Sequence, residues 1–338
     1  MSLIKVSLAI AALPAALTFS QVYDQPVIGI LTFPYTSDTQ AGSPTNSGGN
    51  ALSASSVKFA QARFDDAPNN AVSYFDASYA QWLGQGGARI VPVPYDIDEG
   101  DLEVLFGKLN GVLFTGGPAT PESFPEYFVT AGRIYDLVVT NGDGDVPLWG
   151  TCLGFETISS IVAGGEYLVL TDFDAEQISL PLSLTNSAPN SRVFGSDMPS
   201  EIKSIFTSQN VTTNWHTYGV GVDNFKNLLS SELIATSTNF DRGGLEFVSS
   251  MEHVTAPIYA TQWHPESNQF DTTDKKGDPT PNRSADANKA MAYLSSWLVN
   301  EARKNEHSFD DETDFKDHVL SSEGDGVVCD NWVYWFEH

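Results

Sequence analysis

Four short apolar runs, PVIGILTF from Pro26, ARIVPVPY from Ala88, GVLFTGG from Gly111 and VPLWGTC from Val146, recur with helix-like segments between them. Runs with so few polar residues predict strands covered on both sides, and strands of that kind need crossover helices. The chain is therefore expected to be α/β, a three-layer, mostly parallel sheet with helices on both faces. Helices are expected over Ala71 to Leu83, where Val72, Phe75, Tyr79, Trp82 and Leu83 fall near helical spacing, over Leu102 to Leu109, and over Tyr127 to Val139. The second half carries strand-like pieces at YLVLTD, LIATST, LEFVSSM and PIYATQWH, then a closing helix from Ala285 to Lys304.

Both ends look different from this core. Residues 1–20 place Lys5 before an apolar stretch from Val6 to Leu17 and end in small residues at Thr18 and Ser20, the arrangement of a signal peptide cleaved near Ser20. The run is shorter than the roughly 20 residues that span a bilayer, so no membrane role is expected. Entry into the secretory pathway follows, to a secreted, lysosomal or vacuolar destination, and sequons at Asn210 and Asn282 fit that route. Tyr35 to Ser56 is expected to form a long polar loop. Residues 306–338 are expected to form an acidic C-terminal tail, loosely held from about Asn305 to Gly326. A formal charge of −26, from 17 basic against 43 acidic residues, supplies no basic run to neutralise phosphates, which argues against nucleic acid.

One of two cysteines, Cys152, stands between Gly150 and Gly154 in LWGTCLGFE. A strand ending at Trp149 and a helix starting near Leu153 would leave it on a sharp strand-to-helix bend, where a side chain at either flank would collide with its neighbours. Such a bend puts sulfur at a helix N-terminus, which favours thiolate, and lets the Leu153 amide face an oxyanion. The competing reading of two cysteines in an oxidising compartment is a Cys152–Cys329 disulfide.

A thiolate needs a base. TQWHPE supplies His264 at a strand end with Glu266 two residues on, and an extended His-x-Glu pair would put both side chains on one side. His253, His307, His318 and His338 are expected to have ordinary surface or core roles. FTGG, ending the third strand, offers Gly116 and Gly117 as a second backbone donor opposite Leu153. No metal is implied, since His and Cys show no ligand spacing, and no nucleotide cofactor either, since phosphate-loop and dinucleotide signatures are missing.

GTCLGFE, the upstream FTGG and QWHPE together resemble the gamma-glutamyl hydrolases, relatives of the class I glutamine amidotransferases. PVIGILTFP, SYFDASYAQWLGQGGARIVPVP, LEFVSSME and NEARKN extend the similarity from Pro26 to about Asn305. The resemblance implies a class I glutamine amidotransferase-like (flavodoxin-like) fold with the catalytic domain over residues 21–305. It implies a hydrolase that cleaves folylpoly-γ-glutamates through a Cys thioester, with Cys152 as nucleophile, His264 as catalytic histidine and Glu266 as its supporting carboxylate. His216 in NWHTYGV falls on the family's second histidine and would line the substrate cleft, with Tyr74 and Glu156 as further cleft candidates without catalytic roles. The substrate is a pteroyl-poly-γ-glutamate, and a homodimer is expected by resemblance alone. A glutaminase releasing ammonia, or a non-catalytic binding protein on the same fold, stays open at this point. Because both substrate and protein are acidic, binding calls for a local cationic cleft, for which Arg242, Lys275 and Lys276 are candidates, and favours an acidic working pH.

Overall fold

The computed structural model describes residues 25–35, 72–140, 146–165, 169–271, 280–320, 327–330 and 333–336. The leader 1–20, nearly all of the Tyr35 to Ser56 loop, Lys275, Lys276 and the side chain of Cys329 lie outside them. The first apolar run forms β1 (Val27–Leu31), every residue of it buried, followed by the two-residue β2 (Phe33–Pro34). Then come β3 (Ser73–Asp76), α1 (Ala77–Gln85), β4 (Arg89–Val93), α2 (Glu99–Phe106), β5 (Gly111–Phe114), α3 (Pro125–Thr140), β6 (Leu148–Thr151) and α4 (Leu153–Val162). The second half adds β7 (Thr171–Leu180), β8 (Ser183–Leu184), α5 (Ser200–Ser208), β9 (Thr212–Gly219), β10 (Leu233–Phe240), β11 (Glu246–His253) and β12 (Ile258–Thr261). The chain closes with α6 (Ser267–Phe270), α7 (Ala285–Ala302), α8 (Glu312–His318), β13 (Val327–Asp330) and β14 (Val333–Phe336).

The central sheet runs β4-β1-β5-β6-β12-β11-β10-β8. Its β4 to β12 part is parallel, and β11, β10 and β8 extend it antiparallel. Two apolar clusters fill the two sides. Leu102 of α2, Tyr127 and Ile134 of α3, and Phe155 and Ile158 of α4 pack on one face. Trp82 of α1, Ile205 of α5, and Leu294 and Leu298 of α7 pack on the other. The three-layer, mostly parallel architecture expected from the four apolar runs is the one observed, because strands buried on both faces need a helical layer over each. A smaller sheet, β13-β14-β3-β2, and a β7–β9 pair stand beside it.

Two expectations need correction. The helix expected from Ala71 begins only at Ala77, and Ser73–Asp76 is a strand. Tyr74 packs with one core cluster and Phe75 with the other, so the local period is two, a pattern that four residues beside a helix do not advertise. The described part of the expected loose tail, residues 305–320, is not loose, while 321–326 lie outside the described residues. Asp311 caps α8 by accepting from the amides of Thr313 and Asp314, and Lys108 donates to Asp314 at 2.8 and 2.9 Å. Phe309, Phe315 and Val319 are buried, the Leu320 amide donates to the Ile90 carbonyl, and Asn305 donates to the Asn110 carbonyl. Acidity of the segment hid an amphipathic helix whose acidic first turn and basic last turn suit the helix dipole. Replacing Phe315 with Ala should therefore cost about 3 kcal/mol in denaturant unfolding. A loss under about 0.5 kcal/mol, the scale of a surface change, would restore the loose tail.

Candidate active site

β6 and β12 lie side by side in parallel, with Thr151 opposite Thr261, and Cys152 and His264 follow just beyond their C-terminal ends. The backbone joins them further: the Cys152 amide donates to the Thr261 carbonyl at 2.9 Å, and the His264 amide to the Thr213 carbonyl of β9 at 2.9 Å. Cys152 adopts φ 53°, ψ −104°, the left-handed side that L-residues rarely occupy, and is the N-cap of α4. The glycine frame has the steric cause expected. A Cβ on Gly150 would sit 2.7 Å from the Gly154 backbone, and one on Gly154 would strike the Phe114 carbonyl. Cys152 is buried and free, which excludes the disulfide reading.

Nδ1 of His264 lies 2.7 Å from Oε1 of Glu266, itself buried. The pair is not extended as expected. The strand stops at Thr261, and Glu266 has φ −72°, ψ −26° in the turn that starts α6, so a tight turn rather than a pleat brings carboxylate to imidazole. Burial acts to lower the imidazole, but the charges of Glu266 and Cys152, with their hydrogen bonds, outweigh it and hold His264 well above the ordinary histidine value. Burial pushes the Cys152 thiol up, with the His264 charge and hydrogen bond pulling against it and Glu156 and Glu266 adding to it. The helix N-terminus therefore does not by itself yield a thiolate. The imidazolium is what makes one accessible. Nε2 of His264 is buried and makes no hydrogen bond of ordinary geometry, which leaves that nitrogen open for proton transfer when substrate binds.

The FTGG turn meets this pair directly. A Cβ on Gly116 would come within 2.8 Å of His264 Cε1, 2.9 Å of the Tyr79 hydroxyl and 3.3 Å of Cys152 Cβ. Gly117 abuts Leu153 and the Phe33 ring, at 3.4 and 3.2 Å from the same construction. The two glycines do not share a role, however. The Gly116 amide donates to the Tyr79 hydroxyl at 2.8 Å, so Gly116 is corrected from oxyanion donor to anchor, which leaves Gly117 and Leu153 as the donor candidates.

Glu156 is buried one turn into α4, and its Oε1 accepts from Gln262 Nε2 at 2.9 Å. Burial drives its pKa up to about 7, against the pull of the Gln262 hydrogen bond and the His264 charge. His216 is near enough to feel the His264 charge, but its ring is committed within its own strand. Nδ1 lies 2.8 Å from the Tyr218 carbonyl and Nε2 3.1 Å from Asn214 Oδ1. Burial lowers its pKa to about 3. It is a neutral, buried support packed on Phe247 rather than an open cleft residue. Tyr74 likewise belongs to a ring cluster with Phe33, Tyr35 and Trp335. Arg242 is held by Asp174 and the Gln177 carbonyl at an exposed strand end, so its charge is already paired.

Three residues at the site carry no local functional mark in the sequence. Tyr79, whose hydroxyl lies 2.8 Å from the Gly116 amide and 3.5 Å from His264 Nδ1, looked like a core aromatic on a helix. Trp215, with its ring 5.5 Å from that of His264, is the neighbour of His216 and so faces the opposite side of β9. Gln262 holds Glu156, with its own Oε1 buried and unpartnered. Among the described residues, no group of three His, Cys, Asp or Glu is placed to hold a metal ion, and no helix is long and apolar enough to cross a membrane.

Residues 70–276 match the family model described as Glutamine amidotransferase class-I. The chain is 35% identical over 295 residues to Gamma-glutamyl hydrolase B of Dictyostelium discoideum, covering 86% of this chain and 76% of that protein. It is 37% identical over 246 residues to Gamma-glutamyl hydrolase of Homo sapiens (71% and 74% covered) and 39% identical over 246 residues to that of Mus musculus (70% and 74%).

Two measurements probe this site. Replacing Tyr79 with Phe leaves the Gly116 amide without its acceptor and should lower kcat about tenfold with little change in KM. An unchanged kcat would show the contact to be idle. For Glu156, the folded value of about 7 lies above the ordinary 4.5, so the favourable protonated form is fully present below pH 4.5 and stability is lost as pH rises through 7. At roughly 1.4 kcal/mol per unit, the loss by pH 8 is about 3 kcal/mol. Glu156→Gln should flatten that slope in unfolding experiments run from pH 4.5 to 8, whereas parallel slopes would refute the assignment.

Proposed function

Since the chain belongs to the gamma-glutamyl hydrolases within the class I glutamine amidotransferase family, we propose that it cleaves the γ-glutamyl bonds of folylpoly-γ-glutamates through a thioester on Cys152. The observation that carries this reading is one constellation: a free thiol on a strained bend, with an imidazole beside it whose far nitrogen is held 2.7 Å from a buried carboxylate. Cys152 Sγ attacks the γ-carbonyl carbon, and the amides of Leu153 and Gly117 bind the oxygen as it gains charge. The imidazolium of His264 gives its Nε2 proton to the departing amine as the C–N bond breaks. Water then attacks the thioester and passes a proton to the same imidazole. The γ-carboxylate leaves, and the free thiol is restored. Glu266 fixes the ring and offsets its charge throughout.

The arrangement of residues 1–20 and the two sequons support a secretory route to a lysosome, a vacuole or the outside. An acidic lumen suits a site whose Glu156 stays protonated below about pH 7. Dimer formation is carried here by family likeness alone.

Cys152→Ala should abolish release of shortened folates from a pteroyl-pentaglutamate while leaving the melting temperature near that of the parent protein. Retained cleavage would overturn the thioester. Incubation with glutamine should give little ammonia, and faster ammonia release than folate shortening would make the protein a glutaminase.

A further inference from the structure

The last strand of the chain takes no part in the central sheet, yet it lies along the strand that launches the helix bearing Tyr79. β14 pairs antiparallel with β3 from Val333 opposite Asp76 to Phe336 opposite Ser73, and the Val72 amide adds a bond to the Phe336 carbonyl at 2.9 Å. Asp76 both ends β3 and caps α1, so Tyr79 comes one helical turn after the pairing stops. Without β14, β3 would keep only the two-residue pairing with β2, Phe33 with Tyr74 and Pro34 with Ser73. A strand so short, with one edge open, fixes the entry angle of a helix poorly.

A second route runs through rings. Trp335 packs on Tyr74 with centroids 5.3 Å apart and on Tyr35 at 4.9 Å. Tyr74 packs edge-on against Phe33 at 5.6 Å, and Phe33 is the ring that abuts Gly117. On the opposite side of β14, Tyr334 and Phe336 pack on Phe75 at 5.6 and 5.2 Å. Val333 and Trp335 are 0% and 2% exposed, so the strand is seated by buried apolar surface as well as by its ladder. The two routes converge on one turn, reaching the Gly116 amide through Tyr79 and Gly117 through Phe33.

We propose that the C-terminal strand Val333–Phe336 is a positioning element for the Gly116–Gly117 turn, acting through Tyr79 and Phe33 on the donor that faces the developing oxyanion. The inference rests on the thioester reading given above. It makes the presence of Val333–Phe336 a condition of turnover, although the strand itself acts at a remove from sulfur and imidazole. A strand that served only stability would behave otherwise, because its loss would lower the melting temperature without changing the turnover of molecules that remain folded.

The test compares the full chain with a chain ended at Asn331 and with the full-length variant Trp335→Leu. The readouts are kcat and KM on a pteroyl-pentaglutamate, the melting temperature, and the rate of Cys152 alkylation by iodoacetamide located by peptide mapping. Well below melting, both variants should lose kcat about tenfold or more, at a KM within about twofold and a Cys152 alkylation rate within about twofold of the parent. A synthetic peptide spanning Val327–His338 should restore kcat to the shortened chain. A folded shortened chain whose kcat stays within about twofold of the parent overturns the proposal, as does a Trp335→Leu protein that melts earlier at unchanged kcat. If the shortened chain fails to fold, Trp335→Leu decides on the same criteria. Full activity of Cys152→Ala would instead remove the thioester reading itself, whatever the strand variants do.

Discussion

The seam between β6 and β12 is the constraint from which the site follows. Parallel neighbours in register end at the same edge of the sheet, so the residues that follow them meet without any loop having to reach. The Cys152 amide bonded to the Thr261 carbonyl extends the ladder one step past the strands, and that bond holds the bend against its unfavourable φ. β9 ties the other partner by accepting the His264 amide at Thr213. Nucleophile and base are thus fixed by main chain on two sides, and the side chains have little freedom left to lose when substrate arrives.

Much of this was legible because sterics and periodicity leave local marks. Unbroken apolar runs named the parallel strands, and the glycines around Cys152 named the bend, since nothing larger fits against Gly154 or Phe114. What stayed hidden depends on partners distant in sequence. Ser73–Asp76 becomes a strand because β14, at the far end of the chain, lies beside it, and no window around Tyr74 contains that information. Tyr79 sat at core spacing on α1, and its hydroxyl acquires meaning only when the Gly116 amide is folded against it. The C-terminal helix carried a readable cap at Asp311 and apolar residues at Phe315 and Val319, but overall acidity outweighed them. His216 and Trp215 show a third kind of difficulty. Histidine carries the recognisable chemistry, while pleat alternation turns the neighbouring tryptophan toward His264.

The divided role of FTGG carries a general point about backbone donors. A turn with two free amides could rotate to offer either, and an oxyanion would have to pay for choosing between them. Committing the Gly116 amide to a tyrosine hydroxyl removes that freedom before substrate binds, because the hydroxyl is itself buried and fixed by its helix. Glycine at 116 is then required for space, with His264 and Cys152 against it, and the small size of Gly117 keeps Phe33 and Leu153 close.

Two carboxyl groups lie within electrostatic reach of one imidazole, and their surroundings separate their duties. Glu266 touches Nδ1 directly, and its charge is the leading influence that lifts His264 against burial. Glu156 instead accepts from the Gln262 amide, and burial keeps it neutral up to about pH 7. A second full negative charge beside Cys152 would oppose formation of thiolate, as both carboxyls already raise the thiol. A protonated Glu156 relieves that opposition, since the neutral carboxyl no longer adds charge beside the thiol.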